Sequence, residues 1–154
     1  MIVLPAPRSG RFPVDVIEIA RTLKVQVYLT ILPDKISGIL HKFPGKSYLY
    51  VNITHSWERQ RFTIAHELGH HLFDPAGTYL TYNAQEAWTM CERRASRFAA
   101  QLLMPRSEVR RCVRARMCLT DMCQHFGVSA EAMTLRLDEL GYRLVTGGYK
   151  NVVG

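Results

Sequence analysis

The pentapeptide His66-Glu67-Leu68-Gly69-His70 constrains this chain more than any other feature. Two histidines four residues apart meet on one side only in a helix, where they differ by about 40° in azimuth and about 6 Å in rise, so that both imidazoles can reach one ion. Glu67, offset around the helix from His66, then reaches a water beside that ion without ligating it, the position a general base needs. A chance match to this pattern in a chain with these numbers of His and Glu has a probability on the order of one in a hundred, so the flanks must carry part of the case. They do: Phe62, Ile64, Ala65, Leu68 and Leu72 supply an apolar surface, and Gly69 admits a second helix at close range. The helical pattern begins at Glu58 and is stopped by Asp74-Pro75. The alternative is a pair of ordinary core or surface histidines.

A catalytic zinc ordinarily has three protein ligands, and the third must come from elsewhere. The metzincin arrangement is excluded, because Phe73 and Ala76 stand where its glycine and third histidine belong. His71 points about 100° away from His70 and is expected to be exposed. Asp74 lies one further turn along, yet Asp-Pro at a helix end is commonly only a stop signal. Glu92 is the better placed, at the start of a turn of a second long helix (QEAWTMCERRASRFAAQLLM, ended by Pro105) whose Ala95 and Ala99 leave room for close packing. Its competing reading is an exposed partner for neighbouring arginines. Ser96, one turn beyond Glu92, is placed to hydrogen-bond a ligand histidine. For a donor to a developing oxyanion, Tyr79, Tyr82, His41 and Arg61 are candidates that the sequence does not rank.

The rest of the chain predicts an α+β fold. Residues 14–24 read as an amphipathic helix, VQVYLTIL (25–32) as a strand, and GILHKF (38–43) and SYLYVNI (47–53) as antiparallel strands about a Pro44-Gly45 turn. Residues 76–84 read as a loop, Ser107 as the cap of a third helix, and the segment between Leu119 and Leu140 as two shorter helices around Gly127 and Ser129. The expectation is therefore a small antiparallel sheet of about three strands packed on the histidine helix, followed by a helical part. One domain over 1–154 is expected, with sheet and site helices in 13–105, a helix-turn-helix-like subregion in 106–143 and a tail in 144–154 that is a strand, a free end or a flap.

Net charge is +7, and much of it is local: between Arg93 and Arg116 there are eight arginines against one acid, Glu108. The simplest reading is a solvated amphipathic helix; docking of an acidic partner is the next. The helix-turn-helix spacing of LTDMCQHFGVSAEAMTLRLDEL suggests DNA reading, but its second helix holds Glu131, Asp138 and Glu139 against Arg136 alone, so phosphates repel it. Direct nucleic-acid binding is thus not expected. Cys91, Cys112, Cys118 and Cys123 form no CxxC pair and are expected as free or buried thiols. With no apolar run of membrane-spanning length and no signal-peptide core at the N-terminus, a cytoplasmic protein without membrane attachment is expected.

Three stretches carry a resemblance to the ImmA/IrrE family of HExxH metallopeptidases: RQRFTIAHELGHHLF (59–73), ERRASRFAAQLLMP (92–105) and FGVSAEAMTLRLDELG (126–141), supported by SGILHKF and LYVNI upstream. The resemblance implies a zincin-like fold and a third ligand at the glutamate that opens the second stretch, Glu92. It also implies a Zn²⁺-dependent endopeptidase, with Mn²⁺ as an activating substitute, that cleaves a helix-turn-helix transcriptional repressor to release stress or mobile-element genes. Ser96 stands where this family often has Asn or Asp. The rival from another class is a non-catalytic partner, an antirepressor or toxin–antitoxin component, that sequesters a repressor without cutting it.

Overall fold

The structure is a computed structural model and describes residues 12–82, 90–145 and 148–151. Asp15 accepts hydrogen bonds from the backbone N–H groups of Ile17 and Glu18 and so starts helix α1 (Val16–Thr22). Strands β1 (Val25–Thr30), β2 (Ile36–Phe43) and β3 (Lys46–Asn52) follow, then helix α2 (Trp57–Phe73) and strand β4 (Gly77–Tyr82). The helical part comprises α3 (Met90–Leu103), α4 (Arg106–Arg114), α5 (Leu119–Phe126) and α6 (Ala130–Glu139), closed by a hairpin of β5 (Tyr142–Val145) and β6 (Gly148–Asn151). Among the described residues no helix is long and apolar enough to cross a membrane.

The α+β class is as expected, but the sheet departs from expectation in two ways. It has four strands in the order β1-β3-β2-β4, not about three. It is also mixed: β2 is antiparallel to β3 and β4, whereas β1 is parallel to β3. Chain direction explains the second difference. The reversals at 31–35 and at Pro44-Gly45 make β1 and β3 run the same way, and β1 joins the sheet beside β3, not beside β2. The fourth strand lies where a loop was expected, in GTYLTY, where Tyr79 pairs with Leu40 and Thr81 with Gly38. The hairpin in the tail resolves that segment as strand, as far as it is described.

Helix α2 lies between the sheet and α3, which is why nearly every residue from Arg61 to His70 is buried on it. Leu40 and Leu49 from the sheet meet Ile64, Ala65 and Leu68 from α2 in a common core with Ala99 and Leu103 of α3. Two glycines set the spacing. A Cβ on Gly69 would lie 2.9 Å from Ala95 Cα, so α2 and α3 cross at the distance expected for that glycine. A Cβ on Gly38 would lie 2.6 Å from Thr63 Cγ2, which holds β2 tight against α2. Gly69→Val forces a branched side chain into α3 backbone and is expected to cost about 3 kcal/mol, read as a melting temperature lower by about 6–12 °C. An unchanged melting curve would show that the two helices can part without cost.

The C-terminal helices are anchored by buried arginines. Arg61 donates from Nε to Gly127 O at 3.0 Å and from Nη2 to Phe126 O at 3.4 Å, with its guanidinium 4.7 Å over the Trp57 ring. It thereby satisfies the carbonyl end of α5, at the turn where Gly127 takes φ +63°. Arg136 is likewise buried and donates from Nε to Met104 O at 3.0 Å, just past the end of α3. The α5-turn-α6 unit, with Ser129 capping α6 as expected, is thus bolted to α2 and α3, and its one arginine faces inward. Ser107 does not cap α4; Pro105 occupies the cap position without a side-chain hydrogen bond, and the helix begins at Arg106.

Candidate metal centre

Helical spacing brings the two histidines together, and the glycine crossing brings Glu92 over them. His66 Nε2 lies 3.1 Å from His70 Nε2 and 3.1 Å from Glu92 Oε2, and His70 Nε2 lies 3.2 Å from Glu92 Oε1. These three donors form one group able to hold a metal ion. A tetrahedral ion with bonds of about 2.0 Å has ligand atoms about 3.3 Å apart, close to the spacing found. The protonation chemistry agrees. His70 Nδ1 is 2.5 Å from Asp74 Oδ2, a carboxylate that can only accept, so in the neutral ring Nε2 carries a bare lone pair. Nitrogen lone pairs and a carboxylate facing one another repel unless a proton or a metal cation lies between them. The residues present fit a divalent cation.

The surroundings fix each donor. Asp74 is 4% exposed and also pairs with Arg94, which reaches it from α3. Burial alone raises the Asp74 carboxyl, but the hydrogen bonds from His70 and Arg94 outweigh it and hold the group below the usual carboxylate range. The Tyr79 ring stacks on His70 at 4.9 Å, and its hydroxyl donates to Pro75 O at 2.7 Å. Ser96 Oγ is 3.3 Å from His66 Nδ1. Hydrogen bonds with His66 and then His70 hold the Glu92 carboxyl down to about 2, so it stays ionised at any physiological pH. Burial lowers the His70 pKa, yet its bonds to Glu92 and Asp74 win and raise it.

Glu67 is fully buried beside this group. Thr81 of β4 donates to Oε1, while Oε2 has no hydrogen-bond partner among the described residues. A buried, half-satisfied carboxylate is costly for a protein to keep. Burial pushes its pKa up, against the pull of His66, the Thr81 hydrogen bond and His70. Gly38 leaves the space: a Cβ there would stand 3.5 Å from Oε1.

Of the sequence candidates, His66, Glu67, His70, Glu92 and Ser96 come together. The candidates for an oxyanion donor do not. Arg61 is spent on the end of α5, and His41 lies on the sheet face away from α2, with Nδ1 3.0 Å from Thr78 Oγ1. The Tyr79 hydroxyl is engaged by Pro75, and the Tyr82 side chain lies outside the described residues. His71, expected to be exposed, is half-buried with Nδ1 3.0 Å from Ser47 Oγ. Asp74 is no ligand in this arrangement but the acceptor that orients His70. Thr81, Gly38 and Arg94 were not foreseen; only the alternation in YLTY hinted at a strand that would aim Thr81 inward.

Asp74→Asn keeps the shape and removes the obligate acceptor, so metal affinity is expected to fall about 10- to 100-fold by competition with a fluorescent chelator. Equal affinity would mean that Asp74 does not set the tautomer. A second convergence, Glu108, Cys112 and His125, is already satisfied: His125 Nε2 is 2.7 Å from Glu108 Oε1, a hydrogen bond, and Arg111 holds the same carboxylate. All the cysteines are free, as expected.

The family model for the IrrE N-terminal-like domain, Peptidase_M78, matches residues 20–138, a span that runs from α1 through α6. No curated protein matches the chain. The match covers most of the sequence and includes both helices that supply the converging donors, and the chain therefore belongs to the IrrE N-terminal-like family of peptidases.

Proposed function

We propose that this protein is a metal-dependent endopeptidase in which His66, His70 and Glu92 hold Zn²⁺, replaceable by Mn²⁺, and Glu67 is the general base. The observation that carries the reading is the buried Oε2 of Glu67, unpartnered beside three converging donors. A structural metal site needs no such group, which argues against a partner that only sequesters its target. A divalent cation there supplies Lewis acidity, activating water and polarising a carbonyl.

The remaining work falls to the chain. Thr81 fixes Oε1 and leaves Oε2 to take a proton from the attacking water and deliver it to the departing amine. The raised pKa of the buried carboxyl suits both halves of that transfer. Asp74, steadied by Arg94, keeps the His70 ring turned, and Ser96 does the same for His66.

The substrate we infer is a helix-turn-helix transcriptional repressor, on the strength of the family likeness. The inward-facing Arg136 leaves Glu131, Asp138 and Glu139 exposed on α6, which disfavours DNA as the ligand of that helix. The test is incubation with repressors encoded near this protein's gene, with Zn²⁺, Mn²⁺ or chelator, followed by intact-mass spectrometry. One cut that requires metal is expected. A stable complex without fragments under every metal condition would favour sequestration instead.

A further inference from the structure

A groove of about 1100 Å³ lies between α2, α3 and α6. It begins at Ser96, beside His66, and at Phe62, one turn before His66 on α2. Taking a helix as a cylinder about 10 Å wide with a 5.4 Å pitch, that volume accommodates about two to three turns.

Its two edges differ. The floor is apolar, from Phe62 to Ala132 and Leu135 of α6, and Leu135 is 64% exposed, an uncommon cost for a leucine with nothing to cover it. The α3 edge carries Arg93 and Arg97, one turn apart and both exposed. Arg94 and Arg111 spend their charge on Asp74 and Glu108, but neither Arg93 nor Arg97 has an acidic partner among the described residues. The α6 edge is acidic, with Glu131, and Glu139 pairing with Arg136 at 2.7 Å.

The geometry points to an exosite for an amphipathic helix of the protein substrate, with an apolar stripe that covers Phe62 and Leu135 and an acidic flank that meets Arg93 and Arg97. This rests on the peptidase reading, since Ser96, which lines the groove, lies 3.3 Å from His66 Nδ1, so that a helix docked there is held beside the metal centre. Charge complementarity selects the occupant: a helix basic on its α3 side would face Arg93 and Arg97, which have no acidic partner among the described residues.

The probe is a fluorescein-labelled peptide of about 18 residues with leucines at i, i+3, i+4 and i+7 and glutamates along one flank, long enough to hold a helix. Fluorescence anisotropy is read on wild type, Glu67→Gln, Arg93→Glu/Arg97→Glu and Leu135→Ser, the last two altering exposed side chains only. Binding is expected to be about tenfold or more tighter than for a scrambled peptide of the same composition or for the lysine counterpart. It should weaken by a similar factor in both groove variants and stay unchanged in Glu67→Gln. Equal binding of the scrambled peptide, or undiminished binding to the groove variants, overturns the exosite. So does tighter binding of duplex DNA that is lost in Arg93→Glu/Arg97→Glu, which would assign the edge to phosphates. Failure of the peptidase reading looks different: selective peptide binding persists, while no protein is hydrolysed with any metal.

Discussion

The Glu67→Gln protein is expected to keep its metal and to hydrolyse peptide bonds about 10³-fold more slowly than wild type. The two side chains have nearly the same shape, and Thr81 still has an acceptor in the amide oxygen. What disappears is the one atom able to take the water's proton. Unfolding cannot account for the loss. Burial raises the Glu67 pKa above its unfolded value, so the ionised side chain costs stability at neutral pH, and the amide removes that cost. The melting temperature should therefore hold or rise as turnover falls. Single-turnover cleavage beside metal analysis checks both halves, and a variant that cuts at the wild-type rate would remove Glu67 from the mechanism.

Glu92→Ala should have the largest effect on the metal itself. It removes the only one of the three donors that carries a full negative charge, and it leaves two imidazoles to hold the ion. Affinity is expected to fall by more than the roughly 100-fold typical of losing an outer hydrogen-bond partner, and activity at trace metal should vanish. Because Glu92 sits at the first turn of α3 and is partly exposed, the fold should survive. Competition titration against a chelator and a thermal melt separate loss of metal from loss of structure. Retention of tight binding would mean that another carboxylate completes the site.

The differences between sequence and structure have physical causes that individual residues show. Helix α2 was legible because the histidine spacing has meaning only on a helix, and because Asp74-Pro75 stops it; its start lies at Trp57, one residue before Glu58, where Ser56 supplies a cap that was not foreseen. Glu92 was legible because Gly69 and Ala95 announce a close crossing. Strand β4 was not, since GTYLTY lies among turn-forming residues and becomes a strand only by pairing with β2. Thr81, whose role depends on that pairing, was hidden with it. Arg61 read as a candidate oxyanion donor and Arg136 as the one cation of the last helix, although each is buried against carbonyls more than thirty residues distant, a placement that local pattern cannot encode. Asp74 carried two meanings, a stop signal and a ligand; it ends α2 and orients the His70 ring.

The ligand set is tested most directly by X-ray absorption at the zinc edge on protein reconstituted with one equivalent of Zn²⁺. The account predicts a first shell of nitrogen and oxygen at about 2.0–2.2 Å with the outer-ring signature of two imidazoles, altered in Glu92→Ala. A sulfur scatterer at about 2.3 Å would contradict it by placing the metal at a cysteine, as would a wild-type shell that Glu92→Ala leaves unchanged.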